Sequence, residues 1–203
     1  MKRIFVSQRV DILTNINERR DALDQRWVSF LRETGGELMA VPNDKKSADF
    51  MLKSVAPDGI VLTGGNDPVA NGGNAPERDA IDILLIDYAI KNSIPLIGVC
   101  RGMQSILCYF GGTLKKVNKH VTVKHHLKGS ICREVNSYHN FAADFVPAVF
   151  KICATSEDCV IEAIKHSSIP ILAMMWHPER EAVFNNDDII LFNKMWNRVD
   201  GVQ

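Results

Sequence analysis

The sequence predicts an α/β fold in which helices cover both faces of a mostly parallel sheet. Short β-rich apolar runs alternate along the chain with stretches of helical periodicity, which is the pattern of successive βαβ units. Clusters of polar residues follow directly after several of the apolar runs. In an open parallel sheet the ligand crevice lies outside the carboxyl ends of the strands, so these clusters also predict where a functional site lies.

Length and composition are those of an ordinary globular protein. The 203 residues fit one domain, 1–203, or at most a domain with a small appendage. Hydrophobic residues make up 46% and charged residues 24%, so a full core can form without disulfides or metal. The five cysteines are odd in number and include no CxxC pair, which argues against a disulfide framework or a zinc site.

Charge and hydropathy exclude several classes of function. The 24 basic residues balance 24 acidic ones without forming a basic stripe, so no nucleic-acid partner is expected. No run approaches the roughly 18 apolar residues of a membrane span, and the N-terminal apolar stretch is too short for a signal peptide. We therefore expect a cytoplasmic protein without a membrane partner.

The strands are predicted from the apolar, β-rich runs. They cover residues 3–7, 37–41, 59–62, 95–99, 152–154, 160–165 and 171–176. The polar, His-rich stretch over residues 113–141 has weak periodicity and is predicted to form a small β-hairpin excursion from the sheet.

The helices are predicted where apolar residues recur at helical spacing. They cover residues 19–34, 77–91, 103–110 and 187–199. In the first of them, Leu23, Trp27 and Phe30 share one face, and Gly35 supplies the stop. Residues 67–76 are rich in Asn, Gly and Pro and are predicted to be a surface loop; whether residues 66–76 act as a lid stays open.

Cys100 carries the strongest chemical signal. Gly98 and Gly102 stand two residues before and after it, which permits the sharp strand-to-helix turn of a nucleophile elbow. At the head of a helix the backbone N–H groups favour the thiolate, and the N–H of Arg101 is predicted to donate to the oxyanion of an attacked carbonyl. A buried cysteine in an ordinary turn is the alternative for this motif taken alone.

Two further clusters supply what a cysteine nucleophile needs. His177 and Glu179 follow the last predicted strand, so His177 can act as general base and Glu179 can orient its imidazole. Gly64 and Gly65 follow the third strand, where a glycine pair can turn an N–H toward a ligand, and Gly65 is predicted as the second oxyanion donor. An ordinary βα turn is the alternative for that pair.

Residues 63–65, 98–104 and 177–179, in this order, resemble the class I glutamine-amidotransferase superfamily. Arg78-Asp79, residues 101–104 and residues 135–139 resemble its γ-glutamyl hydrolase branch, the γ-glutamyl-γ-aminobutyrate hydrolases. The match extends from the first strand to about residue 181. The resemblance implies a flavodoxin-like sheet and a Cys100–His177–Glu179 triad that hydrolyses a γ-glutamyl amide through a thioester.

The resemblance also implies how a small-molecule γ-glutamyl substrate is held. By similarity, the α-amino and α-carboxylate groups should meet Gln104 and the segment Asn136, Ser137, Tyr138 and His139. Gly64 and Asn66, in the cluster of the second oxyanion donor, are further predicted substrate contacts. No cofactor and no metal are expected.

Basic residues bear on the identity of the leaving amine. Arg9 and Arg101 stand at strand ends and are predicted to bind substrate beside Lys124, His125 and His126. Guanidinium groups bind phosphoryl oxygens in a bidentate manner. In these features the chain is similar to the γ-glutamyl-CDP-amidate hydrolases of capsule biogenesis, which release cytidine diphosphoramidate and glutamate. Surface ion pairs are the alternative for both arginines, and the adjacent histidines lack a third ligand at a suitable spacing for a metal.

Two other functions stay open at this point. A glutaminase subunit that delivers ammonia to a separate synthetase would carry the same triad, so the triad cannot separate it from a free-standing hydrolase. A non-catalytic binding or regulatory module would keep the sheet but would not need Cys100, His177 and Glu179 together. The number of subunits is also open, with a homodimer among the alternatives.

Overall fold

A computed structural model describes residues 1–197 of the chain. At its centre is an eight-stranded sheet. In spatial order its strands are β4 (Gly36–Val41), β1 (Lys2–Ser7), β5 (Gly59–Leu62), β6 (Leu96–Val99), β14 (Ile171–Met174), β13 (Ile161–His166), β12 (Phe150–Thr155) and β9 (Lys128–Gly129). The first five are parallel and the last three antiparallel, so the sheet is mixed only at one edge.

In the described part of the chain, three antiparallel strand pairs lie outside this sheet. They are β2 (Arg9–Leu13) with β3 (Glu18–Ala22), β7 (Thr113–Lys116) with β11 (Phe141–Phe145), and β8 (Val121–His126) with β10 (Glu134–Tyr138). The last two pairs are the predicted excursion in residues 113–141.

Among residues 1–197, five α-helices cover the sheet on both faces. They are α1 (Arg26–Glu33), α2 (Lys45–Ser54), α3 (Pro76–Asn92), α4 (Arg101–Tyr109) and α5 (Asn186–Trp196). Short 3-10 turns at Val69–Asn71 and Pro178–Arg180 complete the regular structure. Within the described residues, none of the helices has the length and apolar character that crossing a membrane requires.

Side chains alternate between the two faces of the sheet along each strand, and this alternation divides the hydrophobic interior into two cores. In β1, Ile4 and Val6 contribute to the core under α1 and α5, whereas Phe5 contributes to the core under α2, α3 and α4. Successive strand residues point to opposite faces, so a continuous apolar run buries both. The predicted α/β fold with a flavodoxin-like sheet is therefore confirmed.

The predicted helix over residues 19–34 is wrong in its first half. Residues 18–22 form β3 and pair with β2, and the helix begins only at Arg26. This stretch holds no apolar residue before Ala22, so the helical periodicity begins only at Leu23. The conformation of residues 18–22 was therefore decided by pairing with β2 and not by their local helix propensity.

The sequence reasoning also missed α2. Its start is marked by Asp44, whose carboxylate accepts a hydrogen bond of 2.8 Å from the backbone N–H of Ser47, an N-cap that is readable from sequence. The closing helix was predicted to reach Val199; α5 ends at Trp196, and Val199 lies outside the described residues.

Candidate functional site

Cys100 lies in the turn between β6 and α4, at the carboxyl end of the central sheet. Its φ angle is 53°, in the left-handed region, and its ψ angle is −105°. A non-glycine residue held in such a conformation costs about 1–3 kcal/mol, and such strain is concentrated at functional sites. The side chain is 6% exposed. This is the geometry predicted for a nucleophile elbow.

The two glycines around Cys100 are required by close packing. A Cβ on Gly102 would lie 2.1 Å from the backbone oxygen of Leu62, and one on Gly98 would lie 2.6 Å from the Cδ1 of Ile106. Neither position has room for a methyl group. The glycine spacing therefore seats α4 directly against the end of the sheet.

His177 and Glu179 meet in a buried contact. The Nδ1 of His177 lies 2.7 Å from Oε1 of Glu179, and both residues are 1% exposed. Burial alone would lower the pKa of His177, but the charges of Glu179 and Cys100, with a hydrogen bond to each, outweigh it and raise the pKa from 6.5 to about 9. Since Glu179 occupies Nδ1, the nitrogen left for the Cys100 sulfur is Nε2.

Asn136 fixes the backbone of His177. Its Oδ1 accepts from the N–H of His177 (2.8 Å), and its Nδ2 donates to the carbonyl of His177 (2.8 Å) and to Oε1 of Glu181 (2.6 Å). Asn136 was predicted to bind substrate. The structure differs, because both ends of its amide are engaged in positioning His177.

The glycine turn after β5 packs against the imidazole. A Cβ on Gly64 would lie 2.4 Å from the Cε1 of His177, and the next residue, Gly65, has a φ of 93°. The guanidinium of Arg78, fully buried, donates to the carbonyls of Gly64 (2.9 Å), Gly65 (2.8 Å) and Thr63 (2.6 Å). In a trans peptide the N–H is opposite to the C=O, so the N–H of Gly65 points away from Arg78.

The role of Arg78 was not predicted. Burial lowers its pKa to about 10, and the charge of Cys100 opposes that shift. The guanidinium therefore both organises the turn and places a positive charge near the thiol. The Arg78-Asp79 pair was visible in the sequence only as a point of resemblance, without a chemical reason.

Asn66 differs from its predicted role as a substrate contact. Its Oδ1 accepts from the backbone N–H of Val10 (2.8 Å), and its Nδ2 donates to the carbonyl of Val10 (2.8 Å). Its side chain thus ties the glycine turn to the β2–β3 hairpin.

Two more of the predicted substrate contacts are engaged elsewhere. Ser137 is 1% exposed and donates to the carbonyl of His120 (2.7 Å), and His139 is 2% exposed with its Nδ1 hydrogen donated to the carbonyl of Phe141 (3.2 Å). Tyr138, between them, is 36% exposed, and its ring centroid lies 5.7 Å from that of His177. In a strand, neighbouring side chains point to opposite faces, so only Tyr138 of the three faces the opening.

Gln104 remains compatible with a substrate contact. Its Nε2 donates to the carbonyl of Phe141 (3.0 Å), which fixes the amide, and its Oε1 is buried without a hydrogen-bond partner among residues 1–197.

The predicted phosphate contacts, Arg9 and Arg101, lie in different environments. The guanidinium of Arg101 is buried and pairs with Asp79, Asp82 and the hydroxyl of Ser105. Burial lowers its pKa to about 9, and the two carboxylates would repel an incoming phosphate. The side chain of Arg101 is thus engaged by α3 and by its own helix, and its predicted role in substrate binding stays a prediction.

Arg9 pairs with Asp11 at 2.9 Å, and both side chains are 43% exposed. It lines a small cleft together with His177 and Glu179, as does Arg180, which the sequence reasoning missed. Arg180 also stacks on Tyr138, with 4.6 Å from its Cζ to the ring centroid. An exposed ion pair contributes little, so Arg9 can exchange Asp11 for another anion.

The three basic residues expected beside these arginines separate as well. Lys124 lies on the surface, 3.0 Å from Glu134, and His126 is exposed. His125 turns inward, where it meets His120, His139 and Glu162. The sequence reasoning missed this cluster because its members are far apart in the chain.

Comparisons with known proteins identify the family of the chain. The family model described as glutamine amidotransferase class-I matches residues 19–197. The chain is 30% identical to the γ-glutamyl-CDP-amidate hydrolase of Campylobacter jejuni, over 92% of this chain and 94% of that protein. It is 32% identical to anthranilate synthase component 2 of Azospirillum brasilense, over 78% and 83% of the two chains.

A solved structure supports the same assignment. A putative GMP synthase subunit from Thermoplasma acidophilum superposes with a TM-score of 0.72 at 25% identity, covering 97% of this chain and 94% of that one. The family match spans most of the sequence, and the fold agrees with it over nearly the whole length. The chain belongs to the glutamine amidotransferase class-I family.

Proposed function

We propose that the protein is a cysteine hydrolase of γ-glutamyl amides, with Cys100 as nucleophile, His177 as general acid and base, and Glu179 orienting His177. The observation that carries this proposal is the buried 2.7 Å contact between His177 and Glu179 beside a cysteine held at a φ of 53°. The raised pKa of His177, about 9, favours an imidazolium beside Cys100 at neutral pH, and this imidazolium can give its proton to a leaving amine.

The reaction follows from these positions. The Cys100 thiolate attacks the γ-carbonyl carbon, and the backbone N–H groups of Arg101 and Gly65 donate to the oxyanion. His177 gives its proton to the departing nitrogen, the C–N bond breaks, and a γ-glutamyl thioester remains. His177 then takes a proton from water, which attacks the thioester; the C–S bond breaks, glutamate is released, and the Cys100 thiolate and the imidazolium of His177 are restored.

The glutamyl group is proposed to lie against Gln104 and Tyr138. Gln104 offers an amide oxygen that has no hydrogen-bond partner among residues 1–197, and this oxygen can accept from the α-ammonium group. Residues 1–203 are proposed to act as a single domain, in the cytoplasm and without a cofactor. Two cores that share one sheet support the single domain.

The leaving group is proposed to be cytidine diphosphoramidate, released from γ-glutamyl-CDP-amidate. Arg9 and Arg180 flank the cleft at His177, and Lys124, Tyr138 and Arg180 line an adjoining groove of about 290 Å³. Guanidinium groups suit a diphosphate, and an exposed aromatic ring suits a base. The similarity to the Campylobacter jejuni enzyme over 92% of this chain supports the same substrate.

The substrate proposal is tested by steady-state kinetics with γ-glutamyl-CDP-amidate, γ-glutamyl-γ-aminobutyrate and glutamine. We expect the highest kcat/KM for the nucleotide compound, and Arg9→Gln should raise KM for that compound alone. Arg20→Gln, an exposed arginine paired with Glu18 on the same strand, is the control. A higher kcat/KM for either other substrate would remove the nucleotide proposal and leave the hydrolase proposal intact.

A glutaminase subunit is the second candidate. It is favoured by the similarity to anthranilate synthase component 2, whose name makes it part of a larger enzyme. Glutamine hydrolysis that appears only when a synthetase chain is added would support this candidate over the free-standing hydrolase.

A further inference from the structure

Four side chains from separate elements converge at β13, the neighbour of β14 in the central sheet. His120 precedes β8, His125 lies on β8, His139 follows β10, and Glu162 lies on β13 of the central sheet. One donor atom from each residue lies within 4.8 Å of the donor atoms of the other three. The cluster is outside the proposed catalytic triad and shares no residue with it.

The donor atoms of this cluster are buried and face one another. His120 is 1% exposed, His139 2% and Glu162 0%, and His125 is partly buried. Among residues 1–197, no hydrogen-bond partner is found for Nδ1 of His120, Nε2 of His125, Nε2 of His139 or either carboxylate oxygen of Glu162. Buried polar atoms without partners are rare in folded proteins, and five at one point need a common explanation.

The other ring nitrogens of two histidines are already engaged. Nδ1 of His139 donates to the carbonyl of Phe141 (3.2 Å), and Nε2 of His120 lies 3.0 Å from a carboxylate oxygen of Asp158. Because carbonyl and carboxylate oxygens accept, each of these nitrogens carries the hydrogen. The lone pair is then on the nitrogen that faces the cluster, which is the arrangement found around metal-bound histidines.

Two of the distances within the cluster match those between the ligands of a small tetrahedral ion. Oε1 of Glu162 lies 3.5 Å from Nδ1 of His120 and 3.3 Å from Nε2 of His139. Ligand atoms at about 2.0–2.1 Å from a tetrahedral zinc ion are about 3.3 Å from one another. A direct ion pair between a protonated histidine and Glu162 is the competing arrangement, but neither contact has the geometry of a hydrogen bond, and both oxygens stay without a donor among residues 1–197.

We propose that His120, His125, His139 and Glu162 bind one divalent transition-metal ion of the zinc type. Three imidazoles and one carboxylate suit Zn²⁺ or Co²⁺, whereas Mg²⁺ and Ca²⁺ prefer oxygen ligands. Four protein ligands close a tetrahedral ion, so the site is structural and not catalytic.

The ion would join the β8–β10 hairpin to the central sheet. Glu162 is part of that sheet, and its carbonyl accepts from the N–H of Met175, two residues before His177. On the hairpin side, Asn136 bonds to both backbone groups of His177. The metal ion therefore holds β10, the strand whose Asn136 positions His177. Removal of the ion should loosen the β8–β10 hairpin before the rest of the fold.

The test is Co²⁺ titration of the full chain after treatment with a chelator, followed by competition with Zn²⁺. One equivalent of Co²⁺ should bind per chain with the visible absorption of a tetrahedral site and without a thiolate charge-transfer band. Zn²⁺ should displace it and raise the thermal unfolding midpoint. The chain has five free cysteines, so a thiolate band would locate the metal elsewhere and overturn the proposal.

Matched variants complete the test. His125→Asn and Glu162→Gln should weaken Co²⁺ binding about 100-fold or more, since even residues that only orient metal ligands contribute about 10- to 100-fold. His126→Asn, the exposed neighbour on the same strand, should bind like the original chain. His125 is only partly buried, so its variant reports on the metal even if Glu162→Gln fails to fold. Unchanged affinity in His125→Asn, or no stoichiometric binding by the original chain, would overturn the proposal.

Discussion

The Cys100 turn and the cluster of four proposed metal ligands, from His120 to Glu162, are both buried groups of reactive side chains. They differ in how the chain builds them. The turn is made by five consecutive residues, Gly98 to Gly102, and its partner His177 bonds to a residue two positions away. The cluster gathers side chains from the hairpin and from β13. A motif search can find the first, whereas only the folded chain brings the second together.

One strand connects the two regions. From β10, Asn136 binds the backbone of His177, and His139, just beyond its end, enters the cluster. Asn136, which positions the proposed base, is therefore only three positions along the chain from His139, a proposed metal ligand. Some residues near the proposed reactive centre therefore hold its parts in place without touching the substrate. Four substitutions test that division.

Replacing the proposed nucleophile should have the largest effect. Cys100→Ser should reduce kcat/KM for the preferred γ-glutamyl substrate by about 10⁴-fold or more, because removing a nucleophile abolishes the covalent route. Cys108→Ser, an exposed cysteine on the following helix, should leave kcat/KM unchanged. Retained activity in Cys100→Ser, with circular dichroism showing a folded chain, would contradict the hydrolase proposal.

Glu179→Gln should reduce kcat by about 10²- to 10⁴-fold, because the imidazole loses the carboxylate that orients and charges it. It should also change how stability depends on pH. The folded chain raises the pKa of His177 from 6.5 to about 9, so this stabilisation is complete below about pH 6.5 and is lost as pH rises through about 9.

Urea unfolding across that pH range checks the second half of this prediction. In Glu179→Gln the decline in the free energy of unfolding between pH 6.5 and 9 should be smaller than in the original chain. Glu157→Gln, an exposed site, should reproduce the original curve. An equal decline in Glu179→Gln would show that Glu179 does not set the pKa of His177.

The buried ion pair between Arg101 and Asp82, next to the Cys100 turn, should contribute to the free energy of unfolding. Asp82→Asn should lower the free energy of unfolding by about 3–5 kcal/mol, because it leaves the buried guanidinium of Arg101 without its buried carboxylate partner. Asp11→Asn, at the exposed pair with Arg9, should lower it by less than about 1 kcal/mol. Similar losses in the two variants would contradict the structural role assigned to Arg101.

The smallest expected effect is at the strand shared by both regions. Asn136→Ala should lower kcat by about 10- to 100-fold with little change in KM, because His177 loses both backbone contacts and shifts from its position. Asn140→Ala, exposed beyond the end of the same strand, is the control. A large rise in KM at constant kcat would instead restore Asn136 as a substrate contact.

Much of the fold was determined by the sequence alone. The parallel strands were predicted within about one or two residues, because a strand buried on both faces is a short continuous apolar run. The turn at Cys100 was predictable because its conformation depends on its own neighbours, two glycines. The proximity of His177 and Glu179 was predictable for the same reason, since only one residue separates them in sequence.

Side-chain direction was decided only by the tertiary structure. Arg101 could have faced a substrate, but Asp79 and Asp82 on α3 pair with its guanidinium, and Asp82 is buried with it. Asn66 and Asn136 could have bound a ligand, but backbone groups of Val10 and His177 engage their amides. A sequence states which groups a residue carries, whereas the partner that each group finds depends on elements that are distant in the chain and meet only on folding.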